Sequence, residues 1–159
     1  MKTLKRYYAA ILFVCMMASI SVPVMALDDQ SDMSCDYAEY IGTGIISLEP
    51  VVTTRASSVI TFSDLGILRG AYSESTYYIH SGDDRLVVES LSWSPSGQDI
   101  SVAFVNVQDS STYAVGYSGG TASNKTISTR NVPDGEYYVV VINYDGPNAV
   151  TGSLTYKWD

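Results

Sequence analysis

Residues 136–144 read EYYVVVINY, and this run decides the fold class. Side chains alternate between the two faces of a β-strand. The odd positions from Tyr137 to Val141 and the even positions from Tyr138 to Ile142 are all apolar or aromatic. A strand that is apolar on both faces is typical of the centre of a sheet that is covered on both sides.

Further runs rich in Val, Ile, Thr and Tyr lie on both sides of this one, as expected for strands. Turn-forming Gly, Pro, Asp and Ser residues separate them at spacings near ten residues. The pattern predicts an all-β protein, a single antiparallel β-sandwich of jelly-roll or immunoglobulin-like type with about eight strands. Besides 136–144, strands are expected at 57–62, 76–80, 86–93, 99–107, 112–118, 125–130 and 151–158.

Two local irregularities qualify this pattern. The apolar parity flips between Val88 and Leu91, which predicts a β-bulge at 89–90. The segment 64–75 contains two glycines and is expected to hold at most one short helical turn.

The N-terminal residues have the pattern of a secretory signal peptide over 1–26. A basic start is followed by a short apolar run at about 9–17 and by Val24-Met25-Ala26 before the expected cleavage point. The apolar run is too short for a membrane span. We therefore expect a secreted, extracellular product with no stable membrane anchor, made of an acidic leader with a candidate first strand at 27–56 and a sandwich domain at 57–159.

The mature chain is more acidic than the precursor. Removal of residues 1–26 takes away three of the nine basic residues and none of the 17 acidic ones, which leaves 133 residues with a net charge of −11. Such a charge repels phosphate backbones and disfavours nucleic acid as a partner.

Few residues offer site chemistry. Cys35 is the single cysteine of the mature chain and His80 its single histidine, so zinc binding has little support. No cofactor is expected except calcium, because aspartates in turns supply the oxygen ligands that calcium prefers. The candidate calcium ligands are Asp83 and Asp84 in the predicted turn 81–84. No residue is assigned as catalytic or cofactor-binding.

The eleven tyrosines of the mature chain have two interpretations. Tyrosines on a sheet face suit sugar stacking or protein contact, but Tyr is also a common core residue of strands. The core interpretation is favoured for Tyr113, Tyr137, Tyr138 and Tyr156.

Several stretches resemble the bacterial pre-peptidase C-terminal domain over about residues 75–158. They are STYYI at 75–79, RLVVESLSW at 85–93, DISV at 99–102, GEYYVVV at 135–141 and GSLTY at 152–156. The resemblance implies a secreted, non-catalytic β-sandwich, in some members stabilised by calcium, that helps attached enzymes reach polymers or cell surfaces.

Three functions are compatible with these features. The favoured one is a monomeric, non-enzymatic binding or accessory module for an unidentified extracellular polymer or protein, such as a polysaccharide, a cell wall or a matrix protein. The second is a small secreted hydrolase with paired carboxylates. The third is a self-assembling structural or toxin-like β-protein that associates through strand edges at 57–63 and 121–129.

Overall fold

The structure, a computed structural model, describes residues 35–44, 46–49 and 59–159. The signal peptide predicted at 1–26 lies outside these residues, and so do parts of the predicted leader. Over the described ranges, no helix is long and apolar enough to cross a membrane. The strands are β1 (Cys35–Tyr37), β2 (Glu39–Thr43), β3 (Ser47–Glu49), β4 (Val59–Leu65), β5 (Arg69–Ile79), β6 (Arg85–Ser94), β7 (Asp99–Asn106), β8 (Ser111–Tyr117), β9 (Thr121–Ser128), β10 (Gly135–Asp145) and β11 (Val150–Trp158).

The strands form two sheets that pack face to face. Sheet A has five strands in the order β1-β9-β6-β11-β4, and sheet B has six in the order β2-β8-β7-β10-β5-β3. This confirms the predicted all-β fold. The expectation of purely antiparallel sheets is wrong at two edges, because β1 pairs with β9 and β3 pairs with β5 in parallel.

Each of the eight predicted strands overlaps one of β4–β11, and β3 lies within the segment of the candidate first strand, whereas β1 and β2 are additional. Strand β5 begins at Arg69, inside the segment 64–75 for which at most one short helical turn was expected. Its Gly70 suits the strand, because a Cβ atom there would lie only 2.7 Å from Cγ1 of Val140. Cys35 and Asp36, assigned to the acidic leader from sequence, belong to β1, which β9 holds by strand pairing.

The main core lies between the two sheets. Sheet A contributes buried residues such as Leu86, Leu154 and Tyr156, and sheet B contributes Phe104 and Tyr137. The predicted bulge at 89–90 is confirmed, since the pairing of β11 with β6 shifts register at this point. The bulge turns the apolar positions on both sides of it toward the same core.

A second, smaller core covers the other face of sheet B. Ala103, Val140 and Ile142 are fully buried there, and Ile46 and Leu48 pack against them. The expectation that β10 is covered on both faces is therefore confirmed. This burial helps to explain the central position of β10 in the sheet.

Sheet B is strongly coiled. Strands β2 and β3 form its opposite edges, which in a flat sheet of six strands would lie about 24 Å apart. Thr43 ends β2 and Ser47 begins β3, and four residues of extended chain span at most about 14 Å. The ends of the two edge strands must therefore approach each other, and Ile41, Ile46 and Leu48 pack against the second core.

The first two strands join the sheets along one side. Strand β1 extends sheet A beside β9, and strand β2 extends sheet B beside β8. The chain passes from one sheet to the other at Ala38, which is fully buried. This crossing leaves part of β8 uncovered, as described below.

Candidate functional site

The predicted calcium ligands lie in the turn between β5 and β6. Oδ2 of Asp84 accepts a hydrogen bond from the backbone N–H of His80 at 2.6 Å and lies 3.4 Å from Nδ1 of the same residue. Asp83 is exposed. The described residues contain no group of three or more His, Cys, Asp or Glu side chains placed to hold a metal ion. Calcium binding at Asp83 and Asp84 stays a prediction.

The other residues considered from sequence are spread over the surface and the core. Cys35 is half-buried in β1 opposite Thr126, whereas His80 is exposed beside the ring of Tyr78. The core interpretation is confirmed for Tyr137 and Tyr156, which are each 1 % exposed. Tyr113 and Tyr138 are half-buried and pack against the two cores.

The outer face of sheet A carries a regular array of hydroxyl groups, which we call the hydroxyl face. Its members are the outward residues of four neighbouring strands: Thr61, Ser63, Ser90, Ser92, Ser94, Thr121, Ser123, Thr151, Ser153 and Thr155. Seven of them fall into two rows across the strands, with register partners directly opposite each other. One row is Thr61, Ser153, Ser92 and Thr121, and the next is Val59, Thr155, Ser90 and Ser123.

These two rows contain no charged residue, although the protein is strongly acidic. The nearest charges on this face are at its margins, where Nζ of Lys157 lies 3.6 Å from Oε1 of Glu89 in the bulge. Asp64 is the penultimate residue of β4, and its backbone N–H donates a hydrogen bond to Oγ1 of Thr151. Neighbouring strands are about 4.8 Å apart, so the four-strand rows are about 14 Å wide.

Two grooves adjoin each other at Gly116 in β8. The first, of about 330 Å³, lies at the end of sheet B where β7 begins and β8 ends, and Asp99 and Tyr144 line it. The second, of about 380 Å³, lies where β1 passes into β2 and is lined by Asp36, Tyr37 and Glu39 among others. Pockets for small ligands generally begin at about 300 Å³, so each groove is large enough for part of a ligand.

The charged side chains that line the grooves are all acidic. Asp36, Glu39 and Asp99 line them, and the described lining residues include no Lys, Arg or His. The hydroxyl group of Tyr117 donates to Oδ2 of Asp36 at 3.5 Å. Burial, together with this carboxylate, raises the pKa of Tyr117 well above the ordinary range of a phenol. The grooves therefore favour neutral or cationic ligands over anionic ones.

Only part of the hydroxyl face and neither groove could be predicted from the sequence. The Ser- and Thr-rich stretches 57–63 and 121–129 were expected from sequence as strand edges for assembly. Their described parts include β4 from Val59 onward and β9, which lie at the two sides of the hydroxyl face. The rows themselves depend on which strands are neighbours, which no local pattern gives. The grooves have no sequence signal, because they adjoin the part of β8 beyond Ala114, where the pairing of β2 with β8 ends.

Comparisons of the chain with protein-family models, with curated proteins and with solved structures find no match in any of the three.

Proposed function

We propose that the protein is a secreted, non-catalytic binding module that attaches to neutral polysaccharide through the hydroxyl face. The observation that carries this proposal is the pair of uncharged rows on the outside of a strongly acidic protein. Ser92 and Ser153 form the middle of one row, and Ser90 and Thr155 form the middle of the other. Export by the predicted signal peptide places the module outside the cell.

The hydroxyl face and a neutral polysaccharide are complementary, because both present hydroxyl groups. Each Ser or Thr hydroxyl offers one donor and two acceptor positions, and each sugar hydroxyl offers the same. A row without charges approaches a neutral polymer without the large cost of desolvating an ion. Short side chains also lose little rotamer entropy when a ligand immobilises them. The array favours many weak hydrogen bonds to an ordered polymer surface over one deep pocket.

The strand order supports a finer assignment of the fold, a jelly roll. Among the eight long strands, sheet A reads β4-β11-β6-β9 and sheet B reads β5-β10-β7-β8, so the first strand pairs with the last in one sheet and the second with the seventh in the other. Jelly rolls with this interleaved order include lectin domains. The fold alone does not establish a ligand, but it is compatible with sugar binding and with the pre-peptidase C-terminal type of accessory module.

Co-sedimentation tests this proposal. Residues 27–159 are mixed with insoluble neutral polysaccharides, with peptidoglycan and with collagen. We expect saturable binding to at least one neutral polysaccharide. A Ser92→Glu, Ser153→Glu variant should bind at least about tenfold more weakly, because an unpaired charge would be desolvated at the contact.

The matched control is the double variant Ser75→Glu, Gln108→Glu, which adds the same two charges at exposed positions outside the hydroxyl face, in β5 and in the turn after β7. It should bind like the unaltered protein. Absence of binding to every neutral polysaccharide, or full binding by the Ser92→Glu, Ser153→Glu variant, would overturn the proposal. Binding to collagen or peptidoglycan alone would replace the polysaccharide with that partner.

One observation favours the second candidate, a hydrolase: Asp36 and Glu39 line the same groove. A glycoside hydrolase needs one carboxyl group that keeps its proton at the working pH. Asp36 accepts a hydrogen bond from the Tyr117 hydroxyl and is only half-buried, and Glu39 is exposed. We expect no release of reducing sugar from any polysaccharide that binds; release that is abolished by Glu39→Gln would establish the enzyme.

A further inference from the structure

Strand β8 has an uncovered edge. Strand β2 pairs with β8 only from Ser111 to Ala114, and the chain then leaves toward sheet A. Strand β8 continues to Tyr117, and its other edge pairs with β7 up to that residue. Among the described residues, no strand pairs with 115–117 on the side of β2. Such an edge presents backbone N–H and C=O groups that another chain can pair with.

Space for another strand lies beside this edge. The groove of about 380 Å³ lies along this edge, lined by Ala114, Val115 and Gly116 together with residues of β1 and β2. The groove of about 330 Å³ lies over β7 and β8 and meets the first at Gly116. Glycine leaves the approach open, since a Cβ atom at this position would have Oγ of Ser101 as its nearest neighbour, at 4.0 Å. A short extended segment could therefore lie in line with β2 and continue sheet B past Ala114.

The acidic side chains around this edge favour a segment that carries basic residues. Asp36 and Glu39 lie in one groove and Asp99 lies in the other. Tyr37 and Tyr144 are 43 % and 42 % exposed at the grooves, and tyrosine rings attract cations over their faces. Because side chains alternate along a strand, basic residues at every second position would all face the same side.

We propose that the β8 edge at residues 115–117 binds an extended basic peptide by strand addition, with Lys or Arg at alternate positions. Backbone hydrogen bonds to β8 would supply affinity, and the three carboxylates would supply selectivity. This inference goes beyond the polysaccharide-binding proposal. The edge and the hydroxyl face are different surfaces, so either proposal can fail without the other.

The test uses three synthetic peptides that alternate Val with a second residue. The first has Lys at the alternate positions, the second has Glu, and the third has Lys but with Pro in place of the central Val. Binding to isotope-labelled residues 27–159 is followed by backbone amide chemical shifts. We expect the Lys peptide to shift the amides of 115–117 and to bind at least about tenfold more tightly than the other two, because Pro cannot complete the ladder.

Two variants separate strand pairing from general attraction. Gly116→Val fills the junction of the grooves and should weaken binding of the Lys peptide about tenfold. Gly97→Val is the matched control, at a turn glycine where an added Cβ has no neighbour within 4 Å. The double variant Asp36→Asn, Glu39→Gln should lower the affinity of the Lys peptide while leaving the pattern of shifted amides unchanged.

Three outcomes would overturn the proposal. Equal affinity for the Pro-containing peptide would mean that charge alone attracts it. Shifts confined to residues away from β8 would place the peptide elsewhere. Absence of any binding by the Lys peptide would mean that the edge does not accept a strand.

Discussion

The hydroxyl group of Tyr117 donates to Oδ2 of Asp36 at 3.5 Å, and this contact joins β8 of one sheet to β1 of the other. It lies at the side of the sandwich where the chain also passes between the sheets, from β1 into β2 and from β8 into β9. Both partners are half-buried. A half-buried phenol beside a carboxylate makes the packing here sensitive to alkaline pH.

We expect stability to fall steeply once the pH exceeds the ordinary tyrosine pKa of 10.0. Burial, together with Asp36, raises the pKa of Tyr117 in the folded protein, and burial with a contribution from Tyr77 raises that of Tyr156. Above pH 10.0 the unfolded chain releases these protons while the folded protein retains them, so increasing pH favours unfolding. Below this pH the two groups are protonated in both states and their contribution is fully present.

Chemical denaturation between about pH 8 and about pH 11 measures this effect. Tyr117→Phe should lose less stability over this range than the unaltered protein, because one of the responsible groups is gone. Tyr78→Phe is the control, since Tyr78 is 61 % exposed. An alkaline slope that Tyr117→Phe leaves unchanged would contradict the assignment.

Gly152→Ala should strongly destabilise the fold. A Cβ atom at Gly152 would lie 2.0 Å from the backbone oxygen of Ser92 and 2.8 Å from Cα of Trp93, so β11 and β6 would have to move apart. We expect a loss of about 3 kcal/mol, at the upper end of the range for overpacking. The change also perturbs the centre of the hydroxyl face.

Gly97→Ala is the matched substitution in open space. It should leave the free energy of unfolding unchanged or raise it by about 0.5 kcal/mol, because alanine restricts the unfolded chain. Denaturant titration of both variants gives the comparison. Equal stabilities would mean that the close contact of β11 with β6 relaxes without cost.

Asp84→Ala should destabilise the β5–β6 turn, because the backbone N–H of His80 would lose its carboxylate partner. The expected loss is about 1 kcal/mol, and Asp84→Asn should recover part of it by keeping an oxygen acceptor. Thermal unfolding with calcium or with chelator tests the predicted metal role of the same turn. A calcium-dependent rise in Tm that Asp84→Asn removes would establish the site; a Tm independent of calcium would reject it.

The strands that could be predicted from sequence are those in which the order of apolar and polar residues matches the pattern of buried and exposed positions. In β10, apolar residues at both odd and even positions predicted a central strand, and the structure buries both Val139 and Val140. In β6, the parity change between Val88 and Leu91 located the bulge. These patterns succeed because burial of alternate positions is a local consequence of a distant core.

The parts that could not be predicted depend on which strands are neighbours. Strand β1 has three residues and exists because β9 pairs with it, so Cys35 and Asp36 looked like part of a leader. The beginning of β5 was missed because Gly70 is typical of a loop, yet here it gives space to Val140 of the adjacent strand. The hydroxyl rows and the β8 edge likewise depend on strand order, which sequence periodicity does not encode.

Asn143→Leu should lower the free energy of unfolding, because Asn143 links the end of β4 to the turn before β11. The side-chain amide of Asn143 is fully buried, and its Nδ2 donates to the carbonyl oxygens of Leu65 and Asn148, each at 2.9 Å. Leucine has the same branched arrangement of heavy atoms but leaves both carbonyl oxygens without this donor. We expect a loss of about 2 kcal/mol, since each orphaned acceptor costs more than the bond itself contributes.

The same substitution at exposed Asn131 is the control and should change the free energy of unfolding by less than about 0.5 kcal/mol. Oδ1 of Asn143 is itself buried without a hydrogen-bond partner, so leucine also removes one unsatisfied acceptor and offsets part of the loss. A loss below about 0.5 kcal/mol for Asn143→Leu would therefore mean that this gain cancels both bonds. The end of β4 and the turn before β11 would then be held by the packing of β4, β10 and β11 rather than by the amide.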